Sequence, residues 1–545
     1  MIETKHRGYI RHGATSWRDY FTFNTDHKVI GVQYLVTSFA FFLFGGVLAE
    51  LIRAELAQPG TQFVSGSQYN QLFTIHGTVM IFLWIIPGFA GLANYVIPLS
   101  IGANDMAFPK LNAFAFWLLI PGAALLLLSF AVGGAESGWT AYAPLSLQTP
   151  VGQTIWAISL QFIGFSTIFG ALNFLVTIFN MRAPGMTLMR MPLFAWSIVA
   201  TSIIIILGTP VLSGALAMLA IERILHTGFY APSAGGDPLM WQNLFWFYSH
   251  PAVYIMILPG FGLISEVLPV FSRKPIFGYK LIALSSMAIA VFGFLVWAHH
   301  MFTSGMDPLL RVPFMVTSMV IAVPTGVKIF SWLATIWGGK LRFTTSNIFA
   351  LAFISMFVIG GLSGIFLASV PIDIHVQDTY FVVAHLHYVL FGGSVMAMYA
   401  GLYYWYPKIT GRLMSERLGK LHFWMTFIGF NITFMPLHVV GLEGMPRRVA
   451  DYAPEFGPLN LVATLGSFLL AASTLPFLYN AIGSLVRGKA AGPNPWRALG
   501  LEWTVSSPPP IHNFPAPPVV TRDPYGYGER VADYPLPAPS EPGGN

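Results

Sequence analysis

The sequence predicts an all-α membrane protein: a bundle of about twelve transmembrane helices with both termini in the cytoplasm. Of its 545 residues, 55% are hydrophobic and only 9% are charged, whereas soluble domains are about 25% charged. The mean hydropathy is +0.64. Apolar stretches recur along the chain at the length of about 20 residues that a helix needs to cross a bilayer. A water-soluble globular protein is therefore excluded.

Twelve apolar stretches, separated by short polar loops, are numbered here as helices 1 to 12. They cover residues 29–51, 72–97, 113–132, 155–180, 194–221, 244–270, 281–301, 313–337, 348–370, 380–406, 423–440 and 459–486. Together they form one helical domain, 29–487. The sequence has no internal repeat, which disfavours an inverted-repeat transporter.

The two ends of the chain differ in composition from the helical domain. Residues 1–28 are too polar, and too long before the first apolar run, to be a secretory signal, so they are predicted to form a cytoplasmic segment. Residues 488–545, called the tail below, are rich in glycine and proline. Such a composition cannot build a packed core alone. The tail is expected to lie on the cytoplasmic surface or on a neighbouring subunit.

The distribution of positive charge predicts the orientation, because cytoplasmic loops of membrane proteins carry an excess of lysine and arginine. Alternate loops divide into a basic set, which includes Arg273, Lys274 and Lys280, and a set with few cations. Both termini belong to the basic side. The formal net charge of +6 therefore indicates topology rather than nucleic-acid binding. Arg447 and Arg448, on the outer side, are the exception and predict a bound anion.

The chain has 0 cysteines. A thiolate metal site, an iron–sulfur cluster and a disulfide are therefore excluded within it. Any metal must be held by His, Asp, Glu, Met or Tyr.

Seven of the 14 histidines fall within apolar stretches, where polar groups are costly and usually functional. His438, at the end of helix 11, is expected to be an interhelical hydrogen-bonding group, the common role of a single membrane histidine. The predicted topology places the other six at one level near the outer face. They are His76 in helix 2, His250 in helix 6, His299 and His300 in helix 7, and His385 and His387 in helix 10.

The spacing of these histidines predicts more than one metal centre. His385 and His387 are two positions apart on a helix, so they face roughly opposite sides and cannot share one metal. A pair of imidazoles from two helices suits a six-coordinate haem, and a single imidazole leaves a haem iron open to a ligand. His250, with His299 and His300, offers three nitrogens, a set that suits copper or zinc with a vacant position.

Two further side chains lie where they could serve such centres. Tyr254 follows His250 by four residues, on the same helical face. It is either a donor of a proton and an electron or an anchor between helices, and the sequence favours neither. Lys328, in helix 8, must face the protein interior or water. Together with Thr325, one turn earlier in the same helix, Lys328 indicates a row of polar side chains that leads from the cytoplasm toward the metals.

Longer motifs, in order along nearly the whole chain, carry a family resemblance. They are TDHK (25–28), IRAEL (52–56), IHG (75–77), IGANDMAFP (101–109), WAHHMF (297–302), PTGVK (324–328), VAHLHY (383–388) and GMPRR (444–448). The sequence resembles subunit I of the haem-copper terminal oxidases, of the cytochrome c oxidase type. This resemblance implies oxygen reduction to water coupled to proton pumping, in a bacterial cytoplasmic membrane.

The resemblance implies how the histidines divide between two haems and a copper ion. The ligands are His76 and His387 for the low-spin haem, His385 for the high-spin haem, expected to be of the haem A type, and His250, His299 and His300 for the copper. Tyr254 matches the family's tyrosine that is covalently joined to His250. The family's arginines at a substituent of the low-spin haem and at the haem propionates are matched by Arg53, Arg447 and Arg448.

Proton routes are carried over in the same way. Asp105 matches the mouth of the family's D-pathway, with Asn94 and Asn112 near it, and the K-pathway is matched by Lys328, Thr325 and Ser265. The sequence departs from the family in helix 6, where the usual glutamate is replaced by Ala252. A subgroup with this departure carries the pair Tyr248 and Ser249, whose hydroxyls could hold water and relay protons.

A second departure concerns the family's outer magnesium site. The family often has His-Asp where this chain has Gln377 and Asp378. Magnesium accepts an amide oxygen, so a magnesium ion at Asp378 remains an expectation.

The resemblance also implies partners. Because the chain lacks cysteine, a binuclear copper site must lie on a subunit II, and subunit III and a small fourth subunit are expected. Phe44, Leu48 and Gln68 replace the polar residues of quinol-oxidising relatives, so cytochrome c or a similar soluble carrier is the expected donor. The alternatives are a nitric oxide reductase-like enzyme, which Tyr254, Lys328 and Asp105 disfavour, and a non-redox proton transporter.

Overall fold

The computed structural model describes residues 12–527, and within them twelve helices are long and apolar enough to cross a membrane. The predicted helical fold is thus confirmed. Helices 1 to 12 are His27–Glu55, Gly66–Ile101, Pro109–Ala131, Gly152–Asn180, Leu193–Leu225, Pro238–Ser272, Tyr279–Met301, Pro308–Ile336, Thr345–Ala368, Tyr380–Thr410, Glu416–Leu442 and Pro454–Arg487.

Several helices begin at a polar cap. Asp26 accepts a hydrogen bond from the backbone N–H of Lys28 at the start of helix 1, and Asp237 accepts one from Leu239 at the start of helix 6. Thr379 caps helix 10 in the same way. Such caps satisfy backbone donors that have no partner within the helix. In a bilayer this matters because every unsatisfied backbone group is costly.

Five of the twelve spans in the described residues are irregular. Helices 2 and 10 each contain a π-helical turn, Met80–Ile85 and Leu390–Val395, a few residues after His76 and His387. The α-helical part of helix 7 ends at Phe292. The sequence predicted one helix to residue 301, but His299 and His300 lie on a separate 3₁₀ turn, Trp297–Met301. Helix 8 consists of two α-helical parts, Pro308–Val320 and Ala322–Ile336. Helix 12 is divided in the same way, into Gly457–Ala472 and Thr474–Arg487.

Burial identifies the helices at the centre of the bundle. The most apolar window of helix 2 is 89% buried and that of helix 6 is 83% buried, compared with 22% for helix 1. Helix 10 is also largely interior, at 61%. The central helices are therefore those that carry His76, His250, His385 and His387.

Helices 1 and 2 approach closely at two glycines. A Cβ atom added to Gly91 would lie 2.8 Å from the Tyr34 Cβ, and one added to Gly31 would lie 2.8 Å from the Gly91 carbonyl oxygen. Small residues let membrane helices pack backbone to backbone. This contact positions helix 2, and with it His76.

The described part of the tail packs on the end of the bundle where helix 1 begins. Asn513 donates from Nδ2 to the Ala103 carbonyl oxygen at 2.8 Å and lies against His27. Lys408 Nζ, in helix 10, donates to the Val505 carbonyl oxygen at 2.7 Å. Both described ends of the chain therefore lie at the same end of the bundle. Residues 1–11 and 528–545 lie outside the described residues.

We expect Gly91→Val to lower the melting temperature of the purified complex, because the added side chain would overlap helix 1. Overpacking typically costs about 1–3 kcal/mol. Gly46→Val in helix 1 is the matched control, since a Cβ there meets nothing within 4 Å. Equal melting temperatures for the two variants would contradict the close contact between helices 1 and 2.

Candidate metal centres

Three histidines converge from helices 6 and 7. His250, His299 and His300 each offer a ring nitrogen within 4.8 Å of the others, the one such cluster of possible metal ligands found in residues 12–527. The His250 ring centroid lies 4.5 Å from that of His299 and 5.4 Å from that of His300. A neutral three-imidazole set of this kind suits copper or zinc with an open coordination position.

Neighbouring side chains hold these rings in place. His299 Nδ1 lies 2.8 Å from Ser318 Oγ of helix 8. The His300 ring stacks on Trp246, with centroids 3.7 Å apart and planes 10° apart. His250 Nε2 is buried and has no hydrogen-bond partner. Because outer partners fix the rings while a buried nitrogen is left free, the site fits a metal ion.

Tyr254 lies beside this cluster. Its ring centroid is 5.0 Å from that of His250, and a Cβ atom on Gly293 would lie 3.1 Å from Tyr254 Cδ2. No hydrogen bond joins the Tyr254 hydroxyl to another residue among those described. The hydroxyl is thus free to face the cluster.

His76 and His387 face each other from helices 2 and 10. Their ring centroids are 6.4 Å apart and their planes differ by 12°. His76 Nδ1 lies 2.9 Å from the Gly45 carbonyl oxygen, and His387 Nδ1 lies 2.8 Å from that of Val383. A donating Nδ1–H leaves the lone pair on Nε2. Two near-parallel imidazoles in this state fit the axial positions of one haem iron.

His385 is oriented by a different helix. Its Nδ1 lies 2.9 Å from the Gly360 carbonyl oxygen and 3.0 Å from Ser363 Oγ, both on helix 9. A Cβ atom on Gly364 would lie 2.9 Å from His385 Cε1, so only glycine leaves the ring its space. The structure thus places His385 against helix 9, whereas His387 faces helix 2.

His438 does not behave as the sequence predicted. Neither ring nitrogen has a hydrogen-bond partner in the part of the chain that the structure describes. The ring packs instead against Phe381, with centroids 5.3 Å apart, and against Tyr388 at the same distance. The expected interhelical hydrogen bond is therefore wrong, because aromatic rings of helix 10 surround the imidazole.

The three arginines on the outer side, Arg53, Arg447 and Arg448, differ in their hydrogen-bond partners. Arg53 Nη2 donates to the Asn460 carbonyl oxygen at 2.7 Å and to Thr464 Oγ1 at 3.0 Å, while its Nε and Nη1 are buried without partners. Arg447 donates from Nε and Nη2 to Asp378 Oδ1, at 2.9 and 2.6 Å. Arg448 Nη2 has only a 3.4 Å contact with Thr140 Oγ1. A carboxylate of the chain itself therefore already partners Arg447.

Nearby charges and burial shift the pKa values of Asp378 and Asp373. Burial alone raises the pKa of Asp378, but the charges of Arg447 and Arg448 and the hydrogen bond from Arg447 outweigh it, so the pKa falls below its usual value. Burial, and then the charge of Asp378, raise the pKa of Asp373 to about 7. Asp373 Oδ2 has no partner. Sequence reasoning missed this buried carboxyl, although its position just before the Gln377 and Asp378 motif was a signal.

Lys328 lies in the interior, with 1% of its surface exposed. Its Nζ donates to the Ile282 carbonyl oxygen at 2.9 Å and to Ser286 Oγ at 2.6 Å, both in helix 7. Ser265 accepts instead from Trp332 Nε1 at 3.0 Å. Thr325 donates to a carbonyl oxygen of its own helix. Among the described residues, no direct hydrogen bond joins Thr325 or Ser265 to Lys328.

Asp105 lies in the loop after helix 2. Its Oδ1 accepts from the Met106 N–H at 2.6 Å. Its Oδ2 has no hydrogen-bond partner within residues 12–527, and His12 Nδ1 lies 3.7 Å away. Burial raises the pKa of Asp105 to about 7. Further in, Asn112 Nδ2 donates to Asn94 Oδ1 at 2.7 Å.

A small cavity of about 50 Å³ follows beyond Asn94. The hydroxyl-bearing side chains that line it are Tyr34, Ser166, Thr167, Thr201 and Ser202. Sequence reasoning missed all five. The available signal was the presence of serine and threonine within otherwise apolar spans. A cavity of this size can hold one or two water molecules.

Tyr248 and Ser249 lie deeper in helix 6, where both are buried. Ser249 Oγ has no hydrogen-bond partner, and neither has the buried Thr209 Oγ1. Ala252, in the place of the family's glutamate, is 1% exposed. Ser249 in helix 6 and Thr209 in helix 5 thus offer buried hydroxyls without a partner among the described residues, close to where a carboxyl is absent.

The twelve spans and the buried, oriented imidazoles define a multi-pass membrane protein whose histidines fit metal centres. The family model described as "Cytochrome C and Quinol oxidase polypeptide I" matches residues 29–469. A protein named cytochrome c oxidase subunit 1 from Synechocystis sp. is 58% identical over 518 residues, which are 95% of this chain and 94% of the relative. The protein of the same name from Thermostichus vulcanus is 57% identical over 517 residues, 94% of each chain.

A solved structure shares the fold. The cryo-EM structure of a heme-copper terminal oxidase dimer superposes with a TM-score of 0.72 at 19% identity, over 85% of this chain and 84% of that chain. The chain belongs to the family of subunit I of the haem-copper terminal oxidases. The predicted terminal oxidase function is confirmed at this level.

We expect His299→Asn to remove the metal ion held by the three-histidine cluster while both haems are retained, because two imidazoles rarely hold copper as well as three. Metal content per complex by mass spectrometry, with a haem assay, checks this. His438→Asn is the control, because that imidazole binds nothing in the described structure. Unchanged copper content in His299→Asn would contradict the site.

Proposed function

We propose that the chain is the catalytic subunit of a cytochrome c oxidase that reduces O₂ to water and pumps protons. The observation that carries the proposal is the set of six oriented imidazoles: three in one cluster, two facing each other, and His385 with its own partner on helix 9. A non-redox transporter has no need for rings held in this way. A nitric oxide reductase-like enzyme is disfavoured by the position of Tyr254 beside His250 and by relatives named cytochrome c oxidase subunit 1.

The residues present fit two haems and a copper ion. His76 and His387 would hold a low-spin haem, His385 a high-spin haem, and His250, His299 and His300 the copper. When bound, these groups carry electrons from the donor and hold oxygen while it is reduced. Buried Arg53, whose Nε and Nη1 have no partner among the described residues, would bond to a substituent of the low-spin haem, and Arg447 and Arg448 would face the haem propionates. A haem of the A type is proposed for the high-spin position on family grounds.

The Tyr254 phenol lies beside the three-histidine cluster and can supply a proton and an electron there. Its ring contacts the His250 ring and its hydroxyl has no other partner. A covalent bond between the two side chains is part of the proposal. Lys328 would deliver protons to this side of the bundle, since its amine is anchored only by Ser286 and a carbonyl oxygen.

A second route would begin at Asp105. With a pKa of about 7, its carboxyl can both accept and release a proton near neutral pH, as a proton relay requires. The Asn94–Asn112 pair and the cavity beside Asn94, a largely apolar space that five hydroxyl side chains reach, would lead from it into the bundle. Tyr248 and Ser249 would complete the route in place of the missing glutamate.

Partners and surroundings follow from the same proposal. A subunit II with a binuclear copper site would receive electrons from cytochrome c or a similar carrier, and subunit III and a small fourth subunit would complete the complex. The membrane is proposed to be a bacterial cytoplasmic membrane. A magnesium ion at Asp378 stays a prediction, because the Oδ1 of that carboxylate is already bonded to Arg447.

We expect His385→Ala to abolish oxygen consumption while the low-spin haem spectrum persists, because the two rings face different helices. His387→Ala, two residues away, is the matched variant and should remove the low-spin spectrum. Reduced-minus-oxidised spectra and an oxygen electrode provide the two readouts. If the spectra of the two variants were exchanged, the haem assignment would be reversed, and turnover in His385→Ala would refute the oxidase proposal.

We expect the double variant Tyr248→Phe, Ser249→Ala to lower the ratio of protons pumped to electrons consumed in liposomes, because water in helix 6 would lose both hydroxyl partners. Oxygen consumption itself should fall less than pumping.

Lys328→Met supplies the contrast, since it should slow oxygen consumption at least tenfold by stopping proton delivery to the reduced site. Lys280→Met, at the exposed start of helix 7, controls for the loss of a lysine. A double variant with an unchanged proton-to-electron ratio would show that protons bypass Tyr248 and Ser249.

A further inference from the structure

A basic pocket lies at the end of the bundle that carries the tail. Its volume is about 590 Å³, within the range of about 300–1,000 Å³ that is typical of small-molecule sites. Two glycines and five cations line it. The cations are Arg273, Lys274, Lys340, Arg342 and Arg497.

Three separate segments of the chain build this pocket. The backbone N–H groups of Lys340 and Arg342, after helix 8, donate to the carbonyl oxygens of Ser272 and Phe271 at the end of helix 6, at 2.8 and 2.9 Å. Arg273 Nη1 donates to the Arg497 carbonyl oxygen at 2.9 Å, which ties the tail to helix 6. The pocket is therefore a connected structure rather than a set of scattered surface residues.

Two of the cations are fixed by the protein. Arg273 donates to carbonyl oxygens of the tail, and Lys274 Nζ donates to those of Ala334 and Trp337, at 2.8 and 2.6 Å. The charged ends of the other three, on residues 340, 342 and 497, have no hydrogen bond and no ion pair with any described residue. No carboxylate among the described residues lines the pocket.

These like charges are close enough to affect one another. Burial, and then the positive charges of Arg342 and Arg497, lower the pKa of Arg273. Such repulsion is unfavourable for the protein alone, and an anion placed between the cations would offset it. The general excess of cations in cytoplasmic loops explains their number. It does not explain why three distant segments bring them to one pocket.

Two of these residues have a backbone conformation that is unfavourable for any residue with a side chain. Arg273 has φ +53° and Arg497 has φ +52°, both in the left-handed region. Arg273 ends helix 6, at a position where glycine is usual. A residue with a side chain at such a position is unfavourable unless the surrounding structure holds it there.

We propose that this pocket binds the phosphate group of an anionic phosphate ester. Guanidinium groups match phosphate oxygens in pairs, and a lysine adds a compact charge. The adjacent Trp337 and Phe343 are 83% and 59% exposed, as expected of aromatic side chains at a membrane–water interface. Two sources present the same group at this level: the headgroup of an anionic phospholipid and a soluble nucleotide.

The test uses the complete purified oxidase complex with two probes. Phosphatidylglycerol in nanodiscs, counted per complex by native mass spectrometry, represents the lipid source, and ATP titrated by calorimetry represents the soluble one. We expect the double variant Lys340→Gln, Arg342→Gln to bind one probe about 25-fold more weakly than the unmodified complex. This corresponds to about fivefold per cation near an anionic surface.

The matched control is Arg417→Gln, Lys420→Gln, which removes two exposed cations at the start of helix 11, in a loop of the same basic set. Loss of phosphatidylglycerol alone identifies a lipid headgroup, and loss of ATP alone identifies a soluble ligand. Failure of the unmodified complex to bind either probe overturns the proposal. Equal binding by the double variant and the control variant overturns it as well.

Discussion

The structure depends on one constraint, which is that imidazole rings must be held in fixed orientations inside a membrane, where each unpaired polar atom is costly. His76, His387 and His385 meet it in the same way, with Nδ1 bonded to a backbone carbonyl oxygen. That bond pairs one nitrogen and leaves the lone pair of the other available. His299 uses Ser318 for the same purpose. The fixed orientation of the rings therefore requires the helices that supply these partners to lie beside them.

Irregular elements also lie around the site, although the carbonyl oxygens that pair with His76, His385 and His387 belong to regular α-helical segments. The π-helical turns of helices 2 and 10 follow His76 and His387 within about one turn, and His299 lies on a 3₁₀ turn beyond the end of an α-helix. Irregular backbone is tolerated at membrane depth only where protein surrounds it. The centre of the bundle, formed by helices 2, 6 and 10, provides such surroundings. Close packing at Gly91 is part of the same arrangement, because it positions helix 2.

Much of the fold could be predicted because apolar length and histidine spacing depend only on local sequence. The separation of His385 and His387 onto different faces needs no knowledge of other helices. The bonding of His438 could not be predicted, because aromatic residues of helix 10, far away in sequence, decide whether its nitrogens find partners. The same holds for Arg447, whose anion proved to include Asp378 of its own chain. Ser286 was missed as the partner of Lys328 because a serine within an apolar span carries no distinctive local pattern.

The replacement of the helix 6 glutamate by Ala252 changes what the route from Asp105 can do. Hydroxyl groups do not ionise near neutral pH, so Tyr248 and Ser249 can pass a proton only through water that they hold. Ser249 Oγ and Thr209 Oγ1 are both buried without protein partners, and such atoms are satisfied most readily by water. The cavity beyond Asn94 offers room for one or two such molecules. The ionisable group on the proposed route is then Asp105, in the loop after helix 2, where burial raises its pKa to about 7. Proton uptake would thus be controlled by a carboxyl at the entrance, and the interior would serve to conduct rather than to store the proton.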